Sequence, residues 1–144
     1  MLVNAVSAAV VFLAASSALA PQTILPGYWE STSQANLLGK GAPKTERRCI
    51  TADKVSAYLS GPSTSHYTCT YASKSIKGGV ADFSGQCVDK HGTGVDVALH
   101  GTYSPEAFHM DARFALQNLP MLGGTASTDA HRISADCPAE GAGQ

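Results

Sequence analysis

YTCTYASKSIKGGVADFSGQCVD, residues 67–89, contains two runs of alternating side chains on either side of a pair of glycines. Cys69 and Tyr71 alternate with polar or small residues before the glycines, and Phe83 and Cys87 do so after them. A period of two is typical of a strand with one buried face. Glycines between two such strands favour a tight turn. The stretch therefore predicts an antiparallel hairpin.

This hairpin also predicts how the cysteines pair. Four cysteines allow three pairings. A three-residue loop at 77–79 would place Cys69 opposite Cys87, with Cβ atoms about 4.5–5.5 Å apart, close to the spacing of a disulfide. We predict a Cys69–Cys87 bond, which leaves Cys49 to pair with Cys137. A structural zinc site is disfavoured, because no two cysteines stand as close as in C-x-x-C.

The alternation continues along the chain and predicts the fold class. It indicates further strands at residues 27–35, 44–50, 95–103, 108–116 and 125–137. Residues 51–59 instead predict a short helix, capped by Thr51, with Val55 and Leu59 facing the core. Residues 117–124, which include Pro120 and two glycines, predict a longer loop. We expect a mainly β protein: a curved antiparallel meander of about seven strands, resembling a half-barrel, with one short α-helix and two disulfides.

The N-terminal segment predicts export. Residues 1–20 contain no charged side chain, and the segment ends in Ala18-Leu19-Ala20, as signal peptides do. The apolar stretch is short for a membrane span, and the absence of a cysteine at position 21 argues against a lipid anchor. We expect a signal peptide at 1–20, cleaved after Ala20, and a single domain at 21–144 that is periplasmic or secreted. The even cysteine count fits an oxidising compartment.

Composition excludes some partners. The formal net charge is −1, so the chain offers no electrostatic grip on nucleic acid or on an anionic membrane. Its basic cluster, Lys40, Lys44, Arg47 and Arg48, is interrupted by Glu46 and is typical of a solvated strand face.

Several short motifs resemble a known family. Residues 26–30 (Pro-Gly-Tyr-Trp-Glu) are similar to the opening strand of the domain of unknown function 3617 (DUF3617) family, and Cys49-Ile50-Thr51 is similar to its element before a short helix. Cys69 and Cys87 fall where that family has its middle cysteines, and Asp136-Cys137-Pro138 resembles its closing strand. The resemblance covers nearly all of 21–144. It implies a small exported bacterial protein and assigns an activity to no residue.

Catalytic and cofactor motifs are not evident in the sequence. No nucleophile elbow, phosphate-binding loop, zinc-protease helix or dinucleotide fingerprint occurs, so we expect no cofactor and no enzymatic activity. His100, His109 and Asp111 form a weak metal candidate, because a loop at 104–107 would bring them together on one polar strand face. The alternative is a solvated face with an ordinary His–Asp contact.

The apolar faces of the strands suggest a function. They would line a cavity if the curved sheet leaves them open: Tyr71, Phe83, Val97, Leu99, Met110 and Phe114. We expect non-catalytic binding of a small apolar ligand or an envelope protein. A structural envelope protein without a ligand is the alternative, and a hydrolase-type enzyme has the least support. Trp29 is expected in the core rather than in a ligand site.

Overall fold

Seven strands form one antiparallel sheet in the computed structural model, which describes residues 23–37, 39, 41–61, 63 and 66–139. The spatial order is β2-β1-β7-β6-β5-β4-β3. The strands are β1 (Gly27–Leu37), β2 (Lys44–Ile50), β3 (Tyr67–Lys77), β4 (Val80–Asp89), β5 (Gly94–Ser104), β6 (Ala107–Leu116) and β7 (Leu119–Ser134). The predicted fold class is confirmed. The predicted signal peptide, 1–20, lies outside the described residues.

The β3–β4 hairpin has the predicted disulfide but not the predicted loop. Its turn contains two residues, Gly78 and Gly79, at φ 61° and 79°, and Lys77 faces Val80. Positive φ at both positions favours glycine, because other L-residues are strained there. A two-residue turn alone would put Cys69 one position out of register. A bulge between Tyr71 and Ser73 removes that offset, so that Cys69 faces Cys87.

Both predicted disulfides are present. Cys69–Cys87 crosses the β3–β4 ladder with a Cα–Cα distance of 4.0 Å. Cys49–Cys137 has a Cα–Cα distance of 5.6 Å and ties the end of β2 to the chain beyond β7. The described part of the chain contains no free cysteine.

The predicted loop at 117–124 is wrong. A two-residue turn follows β6, and β7 begins at Leu119, which pairs with Leu116 after a bulge. Pro120 suggested a loop because proline cannot donate to a strand ladder. It is tolerated here because residues 120–122 have no partner in either ladder, since pairing with β6 resumes at Gly123 and pairing with β1 starts at Gly124.

The short helix, α1 (Ala52–Ser60), begins directly after β2. Thr51 precedes it, and the carbonyl of Thr51 accepts a hydrogen bond from the Val55 amide at 3.0 Å. A hydrogen bond from the Thr51 side chain is the largest cause of a lowered pKa at Asp53, in the first helical turn. Val55 is buried, as predicted, whereas the side chain of Leu59 lies outside the described part.

The buried core lies between this helix and one end of the sheet. It contains Ile24, Trp29, Ile50, Val55 and Ala130, with Tyr103 and Phe108 packed against it. The Trp29 side chain is 1% exposed, and its indole N–H donates to the Leu25 carbonyl at 3.1 Å. Its ring centroid is 5.6 Å from that of Phe108. Trp29 is therefore a core residue, as the sequence predicted.

The sheet is curved, because residues from its two edge strands line one cavity. Arg48 and Ile50 come from β2, and Ile76 comes from β3 at the other edge of the sheet. This curvature produces a concave face that carries most of the alternating apolar side chains, together with the polar Ser31, Ser33 and Arg48. The side chains of the convex face are mostly polar.

Candidate binding cavity on the concave face

The concave face holds an open cavity of about 710 Å³, here called the principal cavity. Six of the strands contribute to it, from β1 to β3 across the sheet, because alternate residues of each strand point to the same side. The lining is Ala35, Leu37, Tyr67, Cys69, Tyr71, Cys87, Val95, Val97, Leu99, Met110, Ala112, Phe114, Leu116, Leu122, Gly123, Ala126 and Thr128. This set contains no charged side chain.

Five of the six predicted cavity residues lie in this lining: Tyr71, Val97, Leu99, Met110 and Phe114. The sixth, Phe83, is 5% exposed. Its ring packs edge-on against that of Tyr71, with centroids 5.3 Å apart, and it lines an adjoining cavity instead. The structure thus brings all six predicted side chains to one face of the sheet.

The adjoining cavity, here called the second cavity, has a volume of about 330 Å³ and borders the core at the helix end of the sheet. It shares Met110 and Thr128 with the principal cavity, so the two are continuous along the concave face. Its lining is more polar. Ser33 hydrogen-bonds Thr128 through their hydroxyls at 2.9 Å, and the Arg48 side chain, which forms a salt bridge with Glu46 at 2.5 Å, also lines it.

Close packing of backbone and rings shapes the wall of the principal cavity. A Cβ atom at Gly124 would lie 2.6 Å from the Phe114 ring and 2.4 Å from the Asn36 carbonyl oxygen. Any larger residue would therefore push the Phe114 ring away from β7. Gly124, which suggested a loop in the sequence, instead leaves room for the Phe114 ring beside this strand.

Sequence reasoning missed the residues at the mouth of the cavity. Leu37 lies two positions beyond the predicted end of the first strand, and Leu122 lies in the segment that was predicted as a loop. Tyr67 and Leu116 complete this side of the lining. A longer alternation in 27–37 was the available signal for Leu37. No local signal places Leu122, because its position depends on where β7 starts.

The titratable groups of the principal cavity are phenols. Burial raises the pKa of Tyr71 above its ordinary value, so its hydroxyl stays protonated and able to donate a hydrogen bond at neutral pH. Thr128 adds a further hydroxyl to the lining, and this group already bonds Ser33. The cavity thus offers apolar surface and a few neutral hydrogen-bonding groups.

The convex face holds the metal candidate. His100 faces Asp111 across the β5–β6 ladder, but its Nδ1 contacts Asp82 Oδ1 at 2.6 Å. His109 contacts Asp129 through Nδ1 at 2.7 Å and Asp111 through Nε2 at 3.2 Å. Both imidazoles therefore have carboxylate partners of their own. No group of three or more histidine, cysteine or acidic side chains in the described ranges is arranged to hold a metal ion.

Comparison with known proteins identifies a family. A family model described as "Protein of unknown function (DUF3617)" matches residues 24–137. The chain belongs to the DUF3617 family. No curated protein and no solved structure matches the chain.

The DUF3617 match spans all seven strands, α1 and both disulfides. Every lining residue of the two cavities also lies inside it. The concave face is therefore part of the family domain rather than of an appended segment. No helix in the described part of this DUF3617 chain is both long and apolar enough to span a membrane.

Proposed function

We propose that this DUF3617 protein is exported and binds a small apolar molecule in the principal cavity without catalysing a reaction. Export is supported by the signal-peptide pattern at 1–20 and by two disulfides, which persist in oxidising compartments. The proposed location is the periplasm or the extracellular medium.

The observation that carries the binding proposal is the open, uncharged lining of the principal cavity. The core at the helix end is closed, whereas the side chains of Val97, Leu99, Met110 and Phe114 remain only half-buried. Each Å² of apolar surface that stays exposed gives up about 25 cal/mol of the stabilising free energy that its burial would provide. A volume of about 710 Å³ falls within the roughly 300–1,000 Å³ typical of small-molecule sites.

The lining also indicates the chemistry of the ligand. Because the principal cavity contains no charged group, a charged ligand would lose its hydration without gaining a partner. A neutral apolar molecule, or the apolar part of a larger one, would bury the strand side chains at no such cost. A polar atom of the ligand would meet only neutral hydroxyl groups in the lining.

The absence of catalysis is part of this proposal. The lining of the principal cavity contains no histidine, carboxylate or lysine that could act as a base or nucleophile. The histidine–carboxylate contacts lie on the opposite face of the sheet. We likewise propose no nucleic-acid partner, since the net charge is near zero.

Titration with the fluorescent probe N-phenyl-1-naphthylamine tests the proposal. We expect saturable binding to the native protein with a stoichiometry of one probe per chain. Ala112 lies in the floor of the cavity, opposite Leu99 and Ala126, so Ala112→Trp would fill the space with an indole ring. We expect this variant to bind the probe at least about tenfold more weakly. The indole ring would remove apolar contacts between probe and cavity that contribute more than about 1.4 kcal/mol of binding free energy.

Ala98→Trp is the matched control, because Ala98 lies one strand away on the exposed convex face. It should bind the probe as the native protein does. Absence of saturable binding to the native protein would rule the proposal out. Equal loss in the two tryptophan variants would place the probe outside the principal cavity.

A further inference from the structure

Four exposed apolar side chains lie together on one side of the principal cavity and are here called the apolar rim. Leu119, Met121 and Leu122 belong to the start of β7, and Leu37 ends the neighbouring β1. Their exposed fractions are 56%, 97%, 42% and 61%. Leu37 and Leu122 also line the cavity, so the rim is continuous with its apolar wall.

Exposed apolar residues are concentrated at this end of the sheet. The eight large apolar side chains with high exposure in the described part include only two, Val80 and Ile133, at the opposite end. Tyr67 and Val88 lie at the same end of the sheet as the rim, at the ends of β3 and β4. Large exposed apolar patches mark sites of contact with proteins or membranes.

The charge and shape of the rim favour a lipid surface over a protein. Residues 116–124 contain no charged side chain, and residues 120–122 pair with neither neighbouring strand, which leaves Met121 projecting from the hairpin. A stable protein interface buries about 800 Å² on each partner and involves roughly 20–30 residues, far more than four side chains provide. Insertion of a few apolar side chains into the head-group region requires no complementary partner.

We propose that the apolar rim inserts into the surface of a lipid bilayer, with the mouth of the principal cavity facing the lipid. Met121 enters deepest because nothing in the protein covers it, and Leu119 and Leu37 follow. The contact is weak and reversible, since only a few side chains enter. Where the proposed function also holds, an apolar ligand passes between bilayer and cavity without crossing water.

Flotation with phosphatidylcholine vesicles tests the membrane contact. The full chain should float with the vesicles, and the bound fraction should change little with added salt, because the rim has no charge. Met121→Asp should reduce partitioning by about tenfold, because the apolar side chain is lost and a charge must enter the interface. Its fold should be unaffected, since Met121 makes almost no contact with the rest of the protein.

Ile133→Asp is the matched control, because Ile133 is 44% exposed on the same strand at the far end of the sheet. This variant should float as the native chain does. Failure of the native chain to float would overturn the inference, and this is the result expected if the rim binds a protein instead. Equal loss of flotation in both variants would also overturn it.

Probe binding in water distinguishes this inference from the proposed function. Met121→Asp should bind N-phenyl-1-naphthylamine with the native affinity, since Met121 does not line the principal cavity. If Met121→Asp lost both probe binding and flotation, the rim would be part of the ligand site, and the membrane contact would be overturned. Flotation of a native chain that fails to bind the probe would keep the membrane contact and overturn the binding function.

Discussion

His109 shows how the convex face differs from the concave one at the level of single residues. In its protonated form, Nδ1 donates to Asp129 and Nε2 donates to Asp111. The hydrogen bond to Asp129 is the larger cause of a raised pKa at His109, and the bond to Asp111 is the next. The stabilisation is thus fully present below the ordinary histidine pKa, about 6.5, and is lost as the pH rises through the raised value.

We predict that Asp129→Asn lowers the pKa of His109 and destabilises the protein most in mildly acid solution. The side chains are largely exposed, so the loss should be about 0.2–1 kcal/mol near pH 5.5 and smaller near pH 9. Proton NMR titration of the imidazole and urea unfolding at the two pH values measure these effects. Asp82→Asn, which removes the partner of His100 instead, should leave the His109 titration in place.

The cavity residues could be predicted from the sequence as far as the alternation of side chains along each strand could be. Val97, Leu99, Met110 and Phe114 face one side because neighbouring strands pair in register and their side chains alternate. The rim could not be predicted, because the exposure of Met121 depends on a tight β6–β7 turn. The proline and glycines in 117–124 indicated a longer loop there instead. Local composition could not reveal that β1 stops pairing with β7 at Gly124.

The two disulfides differ in what they do for the strands they join. Cys69–Cys87 bridges partners that already face each other in one ladder, and it closes 18 residues of sequence. Cys49–Cys137 closes 88 residues and holds the edge strand β2 to the chain beyond β7. In the loop-entropy model, the short loop contributes about 3 kcal/mol and the long one about 4.6 kcal/mol.

We therefore predict that replacing Cys49 and Cys137 by alanine destabilises the protein more than replacing Cys69 and Cys87. Urea unfolding of the two double variants, each with its remaining disulfide intact, measures the difference, which the model puts at about 1–2 kcal/mol. The reverse order would show that strain or packing at Cys87, a buried wall residue of the cavity, outweighs loop length.

The β3–β4 hairpin shows how a correct pairing can follow from an incorrect loop. A three-residue turn and a two-residue turn followed by a bulge give the same register at Cys69 and Cys87. The sequence favours neither, because Gly78 and Gly79 suit both turns and Ala72 has no feature that marks a bulge. The disulfide selects the bulged register in the folded protein, since the cysteines must face each other.

Burial is uneven across the whole molecule. The closed cluster around Trp29 and α1 lies at one end of the sheet, whereas the principal cavity and the apolar rim occupy the other. Local opening costs least where few apolar contacts and few paired strands hold the backbone. Within β7, residues 120–122 have no strand partner, whereas residues 124–131 pair on both sides and include the buried Ala130.

We predict a gradient of hydrogen exchange along β7 that an apolar ligand reduces. Amides of 119–123 should exchange at least about tenfold faster than those of 128–132 in the free protein, because they open without disrupting the core. Saturating N-phenyl-1-naphthylamine should slow exchange at 119–128, which contains the β7 residues of the principal cavity, and leave 130–132 nearly unchanged. Exchange measured by mass spectrometry on overlapping β7 peptides resolves the two halves. Uniform slowing along the strand would instead mean that the ligand stabilises the fold globally, and equal rates in the free protein would contradict the uneven burial.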